Sequence, residues 1–232
     1  MKKTTALLFA LLCISFSPLY AIEEVAFFDL SSSAGTYTTS TTDPDLAFMN
    51  GNFDFDLTGG GFSTGYYRIL DTNMLFGGGY QSYSLQGESG TKALTSTISG
   101  TTVNWNIAYK ITELSYSGLF GMFGYHMGFA EKWSFDPHAR LAISNKVTVK
   151  DSVYVKFEAP SLFLKSESET PGSESQSLSF VTLHLPIGYK FDNFSITYQL
   201  QIGGPGYKTS TATSSSTAQF GSNSQLIVGY YF

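Results

Sequence analysis

The stretch "FSITYQLQIG" at 194–203 alternates without a break. Phe194, Ile196, Tyr198, Leu200 and Ile202 take one side; Ser195, Thr197, Gln199, Gln201 and Gly203 take the other. Successive side chains of a strand point to opposite faces, so a period of two marks a strand between two different environments. "VTLHLPIGYKF" at 181–191, "VNWNIAYKI" at 103–111 and "VYVKFEA" at 153–159 repeat the pattern. The C-terminal "QLIVGYYF" does too, with Leu226, Val228, Tyr230 and Phe232 sharing one parity.

Two architectures give this alternation. One is a soluble sandwich, apolar inside and polar outside. The other is a transmembrane barrel, apolar towards lipid and polar inside. Several segments run to ten residues or so, the length a tilted membrane strand needs, whereas strands of soluble domains average about 5–6. Composition points the same way. Of 232 residues, 16% are aromatic and only 13% charged, about half the usual charged share of ~25%. Such a chain has few charges with which to cover a soluble exterior.

The N-terminus reads as an export signal over residues 1–21. Lys2 and Lys3 precede the apolar "ALLFALLCISF", which is too short to span a bilayer as a helix, and the expected cut follows Ala21. Removing it takes away Cys13, the single cysteine, and leaves 11 basic against 18 acidic residues. No disulfide framework is then expected, and an acidic chain lacks the electrostatic footprint of a nucleic-acid binder.

The turns divide by length. "LDTN" at 70–73, "VKDS" at 149–152 and "FDN" at 191–193 are short, while 87–100, 165–177 and 204–219 are long and polar. The spacing predicts ten strands, near 46–57, 61–70, 73–86, 102–114, 118–134, 138–149, 152–164, 178–191, 194–204 and 218–232, with eight or twelve as alternatives. Residues 22–45 read as a periplasmic lead or an extra strand, because "VAFFDL" alternates poorly and "SSSAGTYTTSTTDPD" is low-complexity.

Signal, alternating strands, aromatic girdles and terminal aromatic together resemble a Gram-negative outer-membrane β-barrel protein over residues 46–232. The resemblance implies an all-β, closed antiparallel transmembrane barrel in the bacterial outer membrane. It also implies two partners: outer-membrane lipid, and the barrel assembly machinery, which would read the C-terminal strand. Tyr67, Trp105, Trp133, Tyr189, Phe194, Tyr230 and Phe232 are then the expected membrane-anchoring aromatics. Asp54, Asp56, Arg68, Lys110, His126, Lys156, Glu158, His184 and Lys190 are expected to face the lumen or its rims.

Three functions fit such a lumen. A porin-like path for small hydrophilic solutes is motivated by the inward polar rows. A structural or surface-interaction barrel with a plugged lumen is motivated by the Ser/Thr-rich loops and by the modest width of a ten-strand barrel. A barrel hydrolase is the remote third. "DFD" (Asp54, Asp56) and "DPH" (Asp136, His138) resemble the carboxylate and histidine spacing of omptin proteases, over two three-residue matches. No G-x-S-x-G occurs, and "YHMGFAE" lacks the serine two places after histidine found in lipid A deacylases. Three histidines without ligand spacing leave no metal motif, and the Gly-rich runs lack a phosphate-loop lysine. The expectation is therefore neither enzyme nor cofactor.

Overall fold

A computed structural model describes residues 21–41, 51–210 and 214–232. The proposed signal, apart from Ala21, lies outside the described residues, as do 42–50. The described residues form one antiparallel sheet of 12 strands. In chain order these are β1 Ala21–Thr41, β2 Gly51–Leu70, β3 Met74–Glu88, β4 Lys92–Ile98, β5 Thr101–Tyr125, β6 Met127–Ala130, β7 Trp133–Phe135, β8 His138–Ala159, β9 Leu164–Phe191, β10 Phe194–Ile202, β11 Gly206–Ser210 and β12 Ser214–Tyr231.

Eight of these strands form a ring. β1 pairs with β2, then β3, β5, β8, β9, β10 and β12 follow, and β12 returns to β1. The ring has eight strands where ten were expected, because three expected pairs are single strands and β1 is added. β2 runs straight through "TGGG". The glycines there allow close backbone approach: a Cβ on Gly61 would lie 2.2 Å from the Ser82 carbonyl oxygen. β5 runs through 115–117, and β8 runs through the "VKDS" that looked like a turn. The expected turns at 70–73 and 191–193 do form. Asn73 and Asp192 take the left-handed φ that such tight turns use. The polar stretch 31–41, expected as loop, belongs to β1.

The ring has two ends. The tight turns 70–73 and 191–193, with the β6–β7 hairpin, lie at one; the long strand extensions lie at the other. Near the short-turn end, the outward residues are apolar and exposed: Phe28 and Leu30 on β1, Val181, Leu183, Leu185 and Ile187 on β9, Ile196, Tyr198 and Leu200 on β10, Leu226 and Val228 on β12. The inward residues at that height include Asp29, Ser63, Arg140, Thr182, His184, Gln199 and Gln225, all buried.

Farther along the same strands the pattern inverts. On β9, Leu178 and Phe180 pack inward while Ser177 and Ser179 are exposed. On β1, Tyr37 is buried between exposed Thr36 and Thr38. The interior here is an apolar cluster of Tyr37, Leu57, Tyr83, Leu85, Ile111, Leu114, Tyr116, Val147, Val149, Tyr207, Ala218 and Phe220. Tyr116 stacks on Tyr83 at 4.8 Å and meets the Phe220 ring edge-on at 4.6 Å.

The ring also parts at this level. β3 pairs with β2 only as far as Thr58, and β9 pairs with β10 only as far as Leu183. Beyond those points one sheet is β2–β1–β12–β11 and the other is β4–β5–β8–β9. The two face each other across the aromatic cluster, so a ring at the base becomes a sandwich above. β8 carries a register shift between Ala142 and Asn145 at the change of level. Such bulges bend a strand and re-aim its side chains. Gly118, opposite this shift, has φ +154, and a Cβ there would meet Asn145 Oδ1 at 2.4 Å.

Tyr116 ties the two sheets and the waist together. Tyr116→Ala is expected to destabilise the fold by about 3–5 kcal/mol, while Thr38→Ala on the exposed face stays within ~0.5 kcal/mol. Urea unfolding in detergent micelles checks both.

Candidate functional site

The buried polar cluster of the base is built by five inward residues from four strands. β1 supplies Asp29, β2 Ser63, β8 Arg140 and His138, β9 His184. The Ser63 amide donates to Asp29 Oδ1 at 2.8 Å, and the Ser63 hydroxyl donates to Asp29 Oδ2. Arg140 Nη1 donates to Ser63 Oγ at 2.8 Å and reaches Asp29 Oδ2 at 3.4 Å. Arg140 is 1% exposed and Asp29 0%. The guanidinium lies between the rings of Phe120 and Phe27, 4.7 and 5.4 Å from their centroids. A buried charge needs both a counter-ion and hydrogen bonds, and this one has them.

The histidines extend the network. His138 Nδ1 faces the Asp136 carbonyl oxygen at 2.8 Å, so that nitrogen carries the proton and Nε2 is left to accept from Arg140 Nε at 3.4 Å. His184 lies opposite His138 in register, its ring parallel at 4.9 Å. Its Nδ1 accepts from Gln199 Nε2 at 2.6 Å and its Nε2 meets Thr182 Oγ1 at 2.8 Å. Gln225 Nε2 then reaches Tyr83 Oη at 3.0 Å and Gln201 Oε1 at 2.8 Å, linking the network to the aromatic layer above. At the short-turn rim His126 Nδ1 pairs with Asp136 Oδ1 at 2.7 Å. Lys190 pairs with Glu23 and lies over the Tyr231 ring.

This arrangement fills space. The cavity beside Asp136, His138, Arg140 and Gln199 measures about 30 Å³, room for a water molecule or two. Both buried histidines are held on both nitrogens. Among the described residues, no group of three or more ligand side chains could hold a metal.

The sequence-derived candidates divide by height. His184 and Lys190 point inward and His126 sits at the rim. Asp54 and Asp56 lie on the outer face of β2, because Phe53 and Leu57 on either side of them are buried and Phe55 between them is half-buried on the same parity. Lys110 is outward by the same argument from Ile107 and Ile111. Lys156 and Glu158 are outward too, bonded to each other at 3.1 Å. Arg68 is outward at the short-turn end, 3.1 Å from Glu24. The five other than Arg68 correct the expectation of a lumen or rim position, while Arg68 lies at a rim, two residues from the end of β2. Those five stand in the sandwich, where the polar parity is the outer one.

The aromatics need the same correction. Trp133, Tyr189, Phe194, Tyr230 and Phe232 gather on the outer surface at the short-turn end: Trp133 meets Tyr189 at 5.0 Å, and Tyr230 meets Phe194 and Phe232, each at 5.0 Å. Tyr67 points inward against Phe27 at 5.9 Å. Trp105 lies in the sandwich, bonded to Ser96 and packed on Phe157. The two omptin-like motifs do not meet: Asp54 and Asp56 are at the long-strand end, while Asp136 and His138 are at the short-turn end. Asp29, Ser63 and Arg140 were missed. The available signal was a lone carboxylate inside "VAFFDL" and a lone arginine inside "HARLAI", both unusual among apolar neighbours.

No family model and no curated protein matches the chain. Among solved structures it is similar to Ail, the attachment invasion locus protein of Yersinia pestis, at 12% identity and TM-score 0.31, covering 90% of this chain and 99% of Ail. It is also similar to the outer membrane protease OmpT of Escherichia coli at 9% identity and TM-score 0.40, covering 91% and 97%. The outer membrane protein AlkL gives 11% identity and TM-score 0.40, covering 93% and 92%.

Arg140→Met leaves Asp29 buried without its cation and is expected to cost about 3–5 kcal/mol, whereas Asp29→Leu combined with Arg140→Met recovers most of that loss. A double-mutant cycle on unfolding free energy measures the coupling. On the outer face of the sandwich, the hydrogen bond from Lys150 holds the Glu113 carboxyl below its ordinary range, with a smaller contribution from Ser115. The depressed value means that the pair stabilises at neutral pH and is lost as pH falls through the folded value. NMR titration should place Glu113 below a free glutamate, and Lys150→Ala should move it up.

Proposed function

We propose that the chain is an outer-membrane β-barrel with an occluded lumen that acts through the sandwich it displays outside the bilayer. The observation that carries this is the inversion along strands such as β1 and β9. Exposed apolar residues on the outer face of the ring suit lipid, and the sheet pairing leaves no open edge at that height. Above it, a polar outer face with an aromatic interior suits water. Lipid is the partner of the lower face, and the C-terminal strand, paired on both sides, is the element the assembly machinery would handle.

The porin-like alternative needs a path through the base and the aromatic layer above it. Arg140, His138, His184 and Gln199 occupy the first, and Tyr83, Tyr116 and Phe220 the second. This supports the plugged surface-interaction alternative over solute passage. No catalytic role is assigned to the histidines, whose ring nitrogens are spent on the network.

Purified protein in planar bilayers is expected to stay electrically silent at all voltages; discrete conductance steps would overturn the occluded reading. Leu183→Arg should cost roughly 2–4 kcal/mol of stability in lipid, and Thr38→Arg less than ~0.5 kcal/mol. Equal costs at the two positions would remove the assigned membrane level.

A further inference from the structure

The parting of the ring leaves strand edges without partners. The longest belongs to β9: β10 leaves it at Leu183, and from Leu164 to Thr182 no described strand pairs with its second side. Pro171 offers no N–H and bounds an upper segment, Leu164–Thr170. On that segment Glu167 lies opposite Lys156, and Glu169 opposite Tyr154. Val147 and Val149 on β8 are the inward parity, so Lys156, Tyr154 and their two glutamate partners share the outer face.

The ion pairs of this face are Lys156–Glu158 and Lys165–Glu158. Glu167 takes a hydrogen bond from Tyr154, and neither Glu167 nor Glu169 is in an ion pair among the described residues. Immediately before the edge, at the tip joining β8 to β9, Phe163 is 97% exposed. It holds φ at +53, the left-handed region, which is unfavourable for a bulky residue. Leu162 and Leu164 beside it are also exposed. A strained aromatic held in water at the head of an unpaired strand is a surface kept for contact.

The geometry points to Phe163–Thr170 as the docking site for an extended, basic polypeptide segment, which would add to β9 as a further strand. Backbone hydrogen bonds supply the pairing. Basic side chains at alternate positions meet Glu167 and Glu169 across the strand. An apolar side chain covers Phe163. A second copy of this chain is an outcome of the test: paired antiparallel about Glu167, it would set that glutamate against its own copy. The inference rests on the reading that this end of the molecule stands in water outside the membrane.

The test uses the full mature chain in detergent micelles and a fluorescent peptide of about ten residues, with lysine at alternate positions among threonines and one terminal leucine. Binding is expected by anisotropy, with amide-exchange protection confined to 164–170. Glu167→Gln with Glu169→Gln should weaken it roughly three- to tenfold, and Phe163→Gly, which relieves the backbone, should weaken it without loss of fold. The same peptide with alternate backbone nitrogens methylated should not bind. Equal binding of the methylated peptide, absence of binding, or protection of 164–170 through dimerisation of the protein alone would each overturn the proposal. Conductance in the bilayer experiment would overturn the occluded lumen instead and leave the peptide result readable.

Discussion

In the outer-membrane setting proposed above, backbone hydrogen bonding in a medium without water governs the lower half of this molecule. An unpaired N–H or C=O in hydrocarbon costs several kcal/mol, so a sheet at that depth must leave no edge. Pairing of β12 with both β10 and β1 meets that demand. Everything else at this level follows from the ring. Eight strands enclose a bore that side chains can fill, so an arginine, an aspartate, two histidines and several glutamines occupy it and must satisfy one another. Where water replaces lipid the demand lapses. There the ring can part into two sheets, because exposed edges are solvated.

The filled bore also explains why the polar groups come as a network rather than as isolated fillers. Arg140 cannot be buried without Asp29, and Asp29 is held in turn by Ser63. His138 accepts from Arg140 and stacks on His184, which draws in Thr182 and Gln199. Such linkage is cooperative, and removing one member exposes the rest to an unpaired state. The same residues therefore fix the relative rotation of β1, β2, β8, β9 and β10.

Much of the base was legible in the sequence. "FSITYQLQIG" and "VTLHLPIGYKF" report their two faces directly, because both lie at the level where the outer face is apolar and the bore is polar. "VNWNIAYKI" and "VYVKFEA" show the same period, but lie above it. Periodicity records that two environments differ and not which of them is inside, so Lys110, Lys156 and Glu158 were assigned to the wrong face. β1 was obscured for the opposite reason: Phe27 inside and Phe28 outside are both apolar, since a second small cluster with Leu75, Phe120, Met122 and Ile227 sits under the polar layer. The turn signals misled where glycine serves close strand approach. Nothing local in "DPH" or "DFD" indicates that the two lie at opposite ends of the ring.

The inversion of faces has a consequence for position as well as for fold. A barrel that is apolar outside along its whole height can ride higher or lower in a bilayer at little cost. Placed as proposed, this one cannot. Sinking by one residue pair would carry Ser179 and Ser32 into hydrocarbon, and rising by one would lift Leu226, Val181 and Leu30 into water. In that setting the level at which the outer side chains change from apolar to polar works as a load line, and it sets how far the upper sandwich stands above the surface.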